Sequence, residues 1–264
     1  MAAAVGWAGV SHYVRLFVEQ RIYFAAFLIS IGLTGVLSAQ DFSFDPAITQ
    51  SEFRKFSLII GQGIYPTPVQ PGGNRGILAF DVGVAAIALP VDEEASYWTR
   101  AVDGNLTTGG YLLAPRVVVT KGLGFASVSG SYAQLNHSKV KMFGGTVEVP
   151  ILGGSAVTPS LVVRGGYGQI SGVDELDLKT YGAEVFLSKG FGPFTPYAAA
   201  GAARTESRAV IPATTRTPEI VLEDRSQKPR FTIGFQLSFV VPRFVVEATQ
   251  GEQRSYAAKV SFGL

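Results

Sequence analysis

The stretch Arg230–Phe239, RFTIGFQLSF, alternates throughout its length: Phe231, Ile233, Phe235, Leu237 and Phe239 fall on one side of an extended chain, and Arg230, Thr232, Gly234, Gln236 and Ser238 on the other. Successive side chains of a strand point to opposite faces, so this reads as a strand with one apolar and one polar face. A half-buried sheet of a water-soluble domain carries the same alternation. The fold therefore turns on whether other segments repeat the pattern and on where their charges fall.

They do repeat it. The last residues, Tyr256–Leu264 (YAAKVSFGL), set Tyr256, Ala258, Val260, Phe262 and Leu264 against Ala257, Lys259, Ser261 and Gly263. Upstream, Leu78, Phe80, Val82 and Val84 oppose Asp81 and Gly83, and Val117 and Val119 oppose Arg116 and Thr120. Val128 and Tyr132 oppose Ser127, Ser129 and Ser131, while Phe143, Val147 and Val149 oppose Thr146 and Glu148. Leu161, Val163 and Tyr167 oppose Arg164, Gly166 and Gly168; Tyr181, Ala183, Val185 and Leu187 oppose Thr180, Gly182, Glu184 and Ser188. Phe244 and Val246 oppose Arg243, Val245 and Glu247. The alanine-rich stretch from 196 to 204 fits a strand without choosing a face. Segments of about ten residues with period two, separated by turns, are the signature of a transmembrane β-barrel.

The charges sort accordingly. The apolar sets hold no Asp, Glu, Lys or Arg at their middle positions, whereas the polar sets collect Asp81, Arg116, Glu148, Arg164, Glu184, Arg230, Arg243, Glu247 and Lys259. In a narrow barrel such inward charges are expected to pair across the interior. The fold class that follows is all-β, a transmembrane antiparallel up-and-down barrel of about 10 strands, between roughly 8 and 12, with a short N-terminal amphipathic helix. Short links at KGLGF (121–125), LGGSAV (152–157), KGFGPF (189–194) and VPR (241–243) fit periplasmic turns, and the longer links 91–111 and 207–227 fit the outside.

Three regions result. Residues 1–39 read as a signal peptide, with Arg15 and Arg21 ahead of an apolar run ending in Ser38 and Ala39; an uncleaved membrane helix is the alternative. Residues 40–75 hold a helix and a Pro/Gly-rich linker, periplasmic or a plug: Thr49-Gln-Ser-Glu52 is a capping box, Phe53, Phe56 and Ile60 follow at helical spacing, and Gly61 and Gly63 are expected to end the pattern. Closing the lower, periplasmic end of the barrel is the expected role of that helix. Residues 76–264 form the barrel. A second short helix is expected in VDEEASYWTRAV (91–102), with Tyr97 and Trp98 packing over the mouth.

The inventory of reactive groups is thin. Cysteine is absent and there are two histidines, His12 and His137. His137 stands beside Ser138 in LNHSK, but neighbours on a strand face opposite ways, and a solvated loop histidine is the plainer reading. No catalytic residue, cofactor or metal site is expected. The glycine-rich GQGIYP and RGGYGQISG do not lie between a strand and a helix as a phosphate loop would; the second reads as a strand whose small residues relieve crowding. SGVDELDLK (171–179) carries acids at an outer loop that could hold a divalent ion, although a charged loop tip explains them as well. Charge is modest at 16% of residues and the net charge is +2, which gives no basic excess for nucleic acid.

The terminal strand resembles the C-terminal signal of bacterial outer-membrane barrels that the barrel-assembly machinery recognises, through Tyr256, Val260 and Phe262, with Leu264 in place of the usual aromatic. The stretches GILAFDVGVAA, YWTRAV, PRVVVTKGLGF and SKGFGPFTPYAAAG resemble those of an uncharacterised family of Gram-negative outer-membrane proteins. That resemblance implies location in the outer membrane, with its lipid and lipopolysaccharide as surroundings, and transfers no site residue. The expected function is a non-enzymatic structural or passage protein for small solutes or an apolar ligand. Two readings stand beside it: an outer-membrane lipid or peptide hydrolase, and a surface or periplasmic β-protein that does not span.

Overall fold

A computed structural model of the chain describes residues 42–102, 109–134, 140–155, 157–213, 218–239 and 241–263. The signal-peptide reading of 1–39 and the His137–Ser138 pair lie outside the described residues. The elements in order are α1 (Gln50–Ile64), β1 (Phe80–Pro90), α2 (Ser96–Thr99), β2 (Tyr111–Gly122), β3 (Ser127–Gln134), β4 (Lys141–Gly153), β5 (Ser160–Ser171), β6 (Leu176–Ser188), β7 (Phe194–Ile211), β8 (Ile220–Ser238), β9 (Pro242–Gln250) and β10 (Arg254–Gly263). The strands close into one antiparallel ring in which β1 pairs with both β2 and β10. Closure removes every sheet edge.

The strand phases follow the alternation. In β1, Asp81 is buried and Phe80 and Val82 exposed; in β10, Lys259 is buried and Tyr256 exposed. Tyr111, Tyr132, Tyr167, Tyr181 and Tyr256 face outward toward the end with the longer links, and Phe125, Phe191, Phe194 and Phe239 lie at the turn end. Between the two, the outward positions are apolar, as with Val117, Val147, Val163, Val185, Ile233 and Val246.

Three boundaries differ from the sequence reading. β7 and β8 pair from Phe194↔Leu237 to Ile211↔Ile220, so most of the supposed outer loop 207–227 is a two-stranded extension. Charged and polar residues occupy both of its faces, which is why it reads as loop. The segment 77–79 is a turn and β1 begins at Phe80. The third concerns α1, which runs past Gly61 and Gly63 to Ile64 because tertiary contacts override the low helix propensity of glycine. A Cβ at Gly61 would lie 2.4 Å from the Thr205 hydroxyl, so the glycine is there for close approach to β7.

The position of α1 also differs from expectation. It caps the mouth at the end with the longer links, not the turn end. Gln50 donates to the Glu223 carbonyl at 2.6 Å, Arg54 pairs with Asp224 at 2.9 Å, and Gln62 donates to the Gln253 carbonyl at 2.8 Å, all near the far ends of β8, β9 and β10. Its apolar face meets α2 and the segment that precedes α1: Phe56 packs on Phe42, Phe44 and Trp98, with ring centroids 5.3, 5.6 and 6.3 Å away. The capping box is present, Thr49 accepting from the Glu52 amide and Glu52 accepting from the Thr49 amide at 2.8 Å.

Glu52 ties the helix to α2 as well, through Arg100 at 2.9 Å. The Ser96 hydroxyl, the Thr49 amide and then Arg100 hold its carboxyl at about 2, below the ordinary 4.5. A depressed carboxyl contributes stability that is complete above its ordinary value and lost as pH falls through its folded value. Acidification from pH 4.5 to 2 should therefore loosen α1 from α2. In a Trp7→Phe chain, Trp98 emission is expected to shift over that window, and Glu52→Gln should remove this part of the transition.

Candidate functional site: a lumen filled by the N-terminal segment

After Ile64 the chain leaves the helix and runs down the barrel axis to Gly76, then turns into β1. At up to about 3.3–3.6 Å per residue, residues 64–76 can span the full height of an apolar band of about 25 Å. An extended segment inside a barrel has no ladder of its own, so its polar groups need partners from the wall.

The wall supplies them in sequence. Arg116 on β2 donates to the carbonyls of Gly63 and Tyr65, the latter at 3.0 Å. Thr67 donates to Glu247 on β9 at 3.1 Å, and Lys259 on β10 donates to the Pro68 carbonyl at 3.1 Å. Arg164 on β5 donates to the Gln70 carbonyl at 3.0 Å. Ser188 donates to the Gly72 carbonyl, and the Gly73 amide donates to Glu148 at 3.0 Å. At the turn end the Gly124 amide donates to the Arg75 carbonyl at 3.3 Å.

Room for the segment comes from glycines. A Cβ at Gly168 would lie 2.5 Å from the Ile64 carbonyl oxygen, and one at Gly144 would lie 2.7 Å from the Pro66 ring. Gly166 faces the same proline. These are the glycines of RGGYGQISG and its partner strand, so the crowding they relieve is that of the plug. Further down, Gly72 sits against Val162 and Phe186. Val69, fully buried, has φ 48°, a conformation costing a β-branched residue about 1–3 kcal/mol. Its amide donates to the Thr67 hydroxyl at 3.3 Å, and the carbonyls on either side are those held by Lys259 and Arg164.

All the inward charges named from the sequence point into this interior, and Arg243 alone among them is only half-buried. They form neighbouring groups rather than pairs across the lumen, because the plug occupies the axis. Strand register sets Glu148 opposite Arg164, Arg164 opposite Glu184, and Glu184 and Arg230 on either side of Gly201, a belt of alternating sign across β4 to β8. Arg164 meets Glu148 at 2.6 Å and Arg230 meets Glu184 at 3.3 Å. The second contact spans β7 only because Gly201 has no side chain between them. At the seam, Asp81 on β1 pairs with Lys259 on β10 and Arg243 on β9, each at 2.9 Å. Arg116 and Glu247 are spent on the plug, Glu247 also accepting from Tyr197 at 2.8 Å.

Thr67, Gln70, Ser188 and Tyr197 belong to this site and carry no sequence signal beyond being inward or polar. Among the described residues, cavities of about 20 and 30 Å³ lie between α1 and the wall, room for about one or two waters each. Among the described residues no group of His, Cys, Asp or Glu could hold a metal ion. Of the acids of 171–179, Glu175 accepts from the Phe44 amide at 3.4 Å.

No protein-family model matches the chain, and no curated protein matches it in sequence. Solved structures to which it is similar include the N-terminal β-barrel domain of Pseudomonas aeruginosa OprF, 11% identical, covering 73% of this chain and 99% of that chain with a TM-score of 0.32. Neisserial surface protein A is 10% identical, with 70% and 97% covered and a TM-score of 0.28. Ail, the attachment invasion locus protein of Yersinia pestis, solved with the heparin analogue sucrose octasulfate, is 8% identical, with 70% and 96% covered and a TM-score of 0.28. The barrel assignment rests on this chain's own strand pairing.

Removing one partner of a buried ion pair leaves a stranded charge and costs about 3–5 kcal/mol. Arg164→Met, which also releases the Gln70 carbonyl, is expected to lose that much, and Arg164→Met with Glu148→Gln much less. The midpoint of urea unfolding, followed by heat-dependent gel mobility, measures both.

Proposed function

We propose that this chain is an integral outer-membrane barrel, closed by its own N-terminal segment and serving a non-enzymatic, structural role. In lipid a sheet must satisfy every backbone polar group internally, which a closed ring does. Its wall is apolar between a tyrosine and a phenylalanine belt, as in barrels that span. A Lys or Arg on the lipid face at mid-depth would cost about 2–4 kcal/mol, and among the described residues none sits there. Export through a cleaved signal and folding by the barrel-assembly machinery are part of the same reading. The non-enzymatic part rests on the sequence, with no cysteine and two histidines.

The observation that carries the closed state is the course of residues 64–76. Passage of a solute or apolar ligand along the axis would require Arg116, Arg164 and Lys259 to release the plug together. In planar bilayers the purified chain is expected to give no stable conductance steps, and a chain lacking residues 42–75 is expected to conduct. Stable steps from the intact chain would reject the closed reading.

Orientation is testable because the chain has no cysteine. Ser43 is exposed beside Phe42, which bridges to Val102 in the first loop, and Val157 is 86% exposed in the β4–β5 turn. With loops outward, a membrane-impermeant maleimide should label Ser43→Cys on intact cells and Val157→Cys only after permeabilisation.

A further inference from the structure

We propose that the outer wall of β6–β8 seats one phosphate-bearing glycolipid of the surrounding leaflet, its acyl chain in an alanine trough on β7 and its phosphate at Lys179, Arg204 and Arg225. This rests on the membrane location proposed above. The register of the three strands lays their outward side chains in rows. The lower rows are Leu187, Ala198 and Ile233, then Val185, Ala200 and Phe231, then Ala183, Ala202 and Pro229. Three successive outward positions of β7 are thus alanine, while Leu187, Ile233, Val185 and Phe231 stand exposed on either side. The result is an apolar trough one strand wide. From Arg204 to Ala198 the strand runs about 20 Å, or about 15 Å of depth at a tilt of about 40°, which matches one leaflet of a core about 30 Å thick.

The rows above change character at once. Tyr181, Arg204 and Gln227 come next, then Lys179, Glu206 and Arg225. Glu206 orders the bases around it, with Lys179 at 3.3 Å, Arg204 at 3.2 Å and the Tyr181 hydroxyl at 2.7 Å. Lys179 and Arg204 keep about two-fifths of their side chains exposed, at 42% and 41%, and can still meet a ligand. Three bases around one acid leave an excess of positive charge at headgroup height, directly over the trough. The row beyond, Asp177, Arg208 and Glu223, has no such excess, and Arg208 there faces Glu223 at 3.5 Å. A phosphate at the rows of Arg204 and Lys179 has charge-assisted partners in the bases, and the alanines below receive the acyl chain.

The full chain, folded in detergent, is incubated with lipopolysaccharide, and bound glycolipid is counted by native mass spectrometry. Parallel samples receive a dephosphorylated glycolipid or inorganic phosphate. Lys179→Gln with Arg204→Gln and Arg225→Gln is expected to weaken glycolipid binding at least about ten-fold. Ala200→Trp, which fills the trough without touching the bases, should weaken it about five-fold. Both variants should keep the heat-dependent gel mobility of a folded barrel. Equal retention by the triple variant, or equal binding of the dephosphorylated lipid, overturns the proposal. Inorganic phosphate binding as tightly as the glycolipid, with Ala200→Trp without effect, would make this a free-phosphate site and overturns it too. If the intact chain fails to fractionate with outer membranes, the location itself falls; if it fractionates there but does not bind, only this site does.

Discussion

Everything inside this barrel follows from one requirement: an extended chain without a ladder of its own, buried at the centre of a ring of strands, must have its carbonyls and amides answered by side chains. That explains the otherwise expensive lumen chemistry. Arg116, Arg164 and Lys259 are long cations reaching carbonyls on the axis, and Glu148 answers an amide. Once such cations are present, each needs charge nearby or carbonyls enough to replace water, and the acids of the belt and the seam meet that need. The glycines of β4 and β5 then set how close the axis can lie to the wall.

The division of labour among the charges has a mechanical side. Asp81 joins three strands around the seam where the ring closes, β1, β9 and β10. The belt from Glu148 to Arg230 joins the opposite arc. The plug is tied to β2, β4, β5, β6, β9 and β10, so pulling on it loads both arcs at once. Truncating any one of these groups therefore acts on wall and plug together.

How much of this could be read from the residues varies with the physics of each part. Strands such as Arg230–Phe239 and the final one declare themselves because their outward and inward positions differ maximally in polarity. The helix start is legible in Thr49 and Glu52 because capping is local. The β7–β8 extension is not, since beyond the tyrosines its outward face turns from apolar to charged while its inward face, buried under α1, mixes Ser207 and Asp224 with Ala209, Ile211 and Leu222, so the alternation that marks a strand fades. The plug is legible only as a Pro/Gly linker, having no period, and its position depends on vacancies made by glycines a hundred residues away. Inward charges could be named, but partner choice could not: Glu184 reaches Arg230 only through register and the absence of a side chain at Gly201.

The course of residues 42–80 also makes the molecule a thread through a ring. The ring is one continuous circuit of hydrogen bonds, and the thread enters at the loop mouth, leaves at the turn end and becomes β1, itself a member of the circuit. Such an arrangement cannot be undone by loosening side chains alone; either the N-terminal end is drawn back through the hole or the circuit is cut. Folding meets the same constraint in reverse. The order of events that avoids threading a finished hole is for residues 42–80 to lie in place first and for β1 and β10 to join last, with Asp81, Lys259 and Arg243 as the clasp.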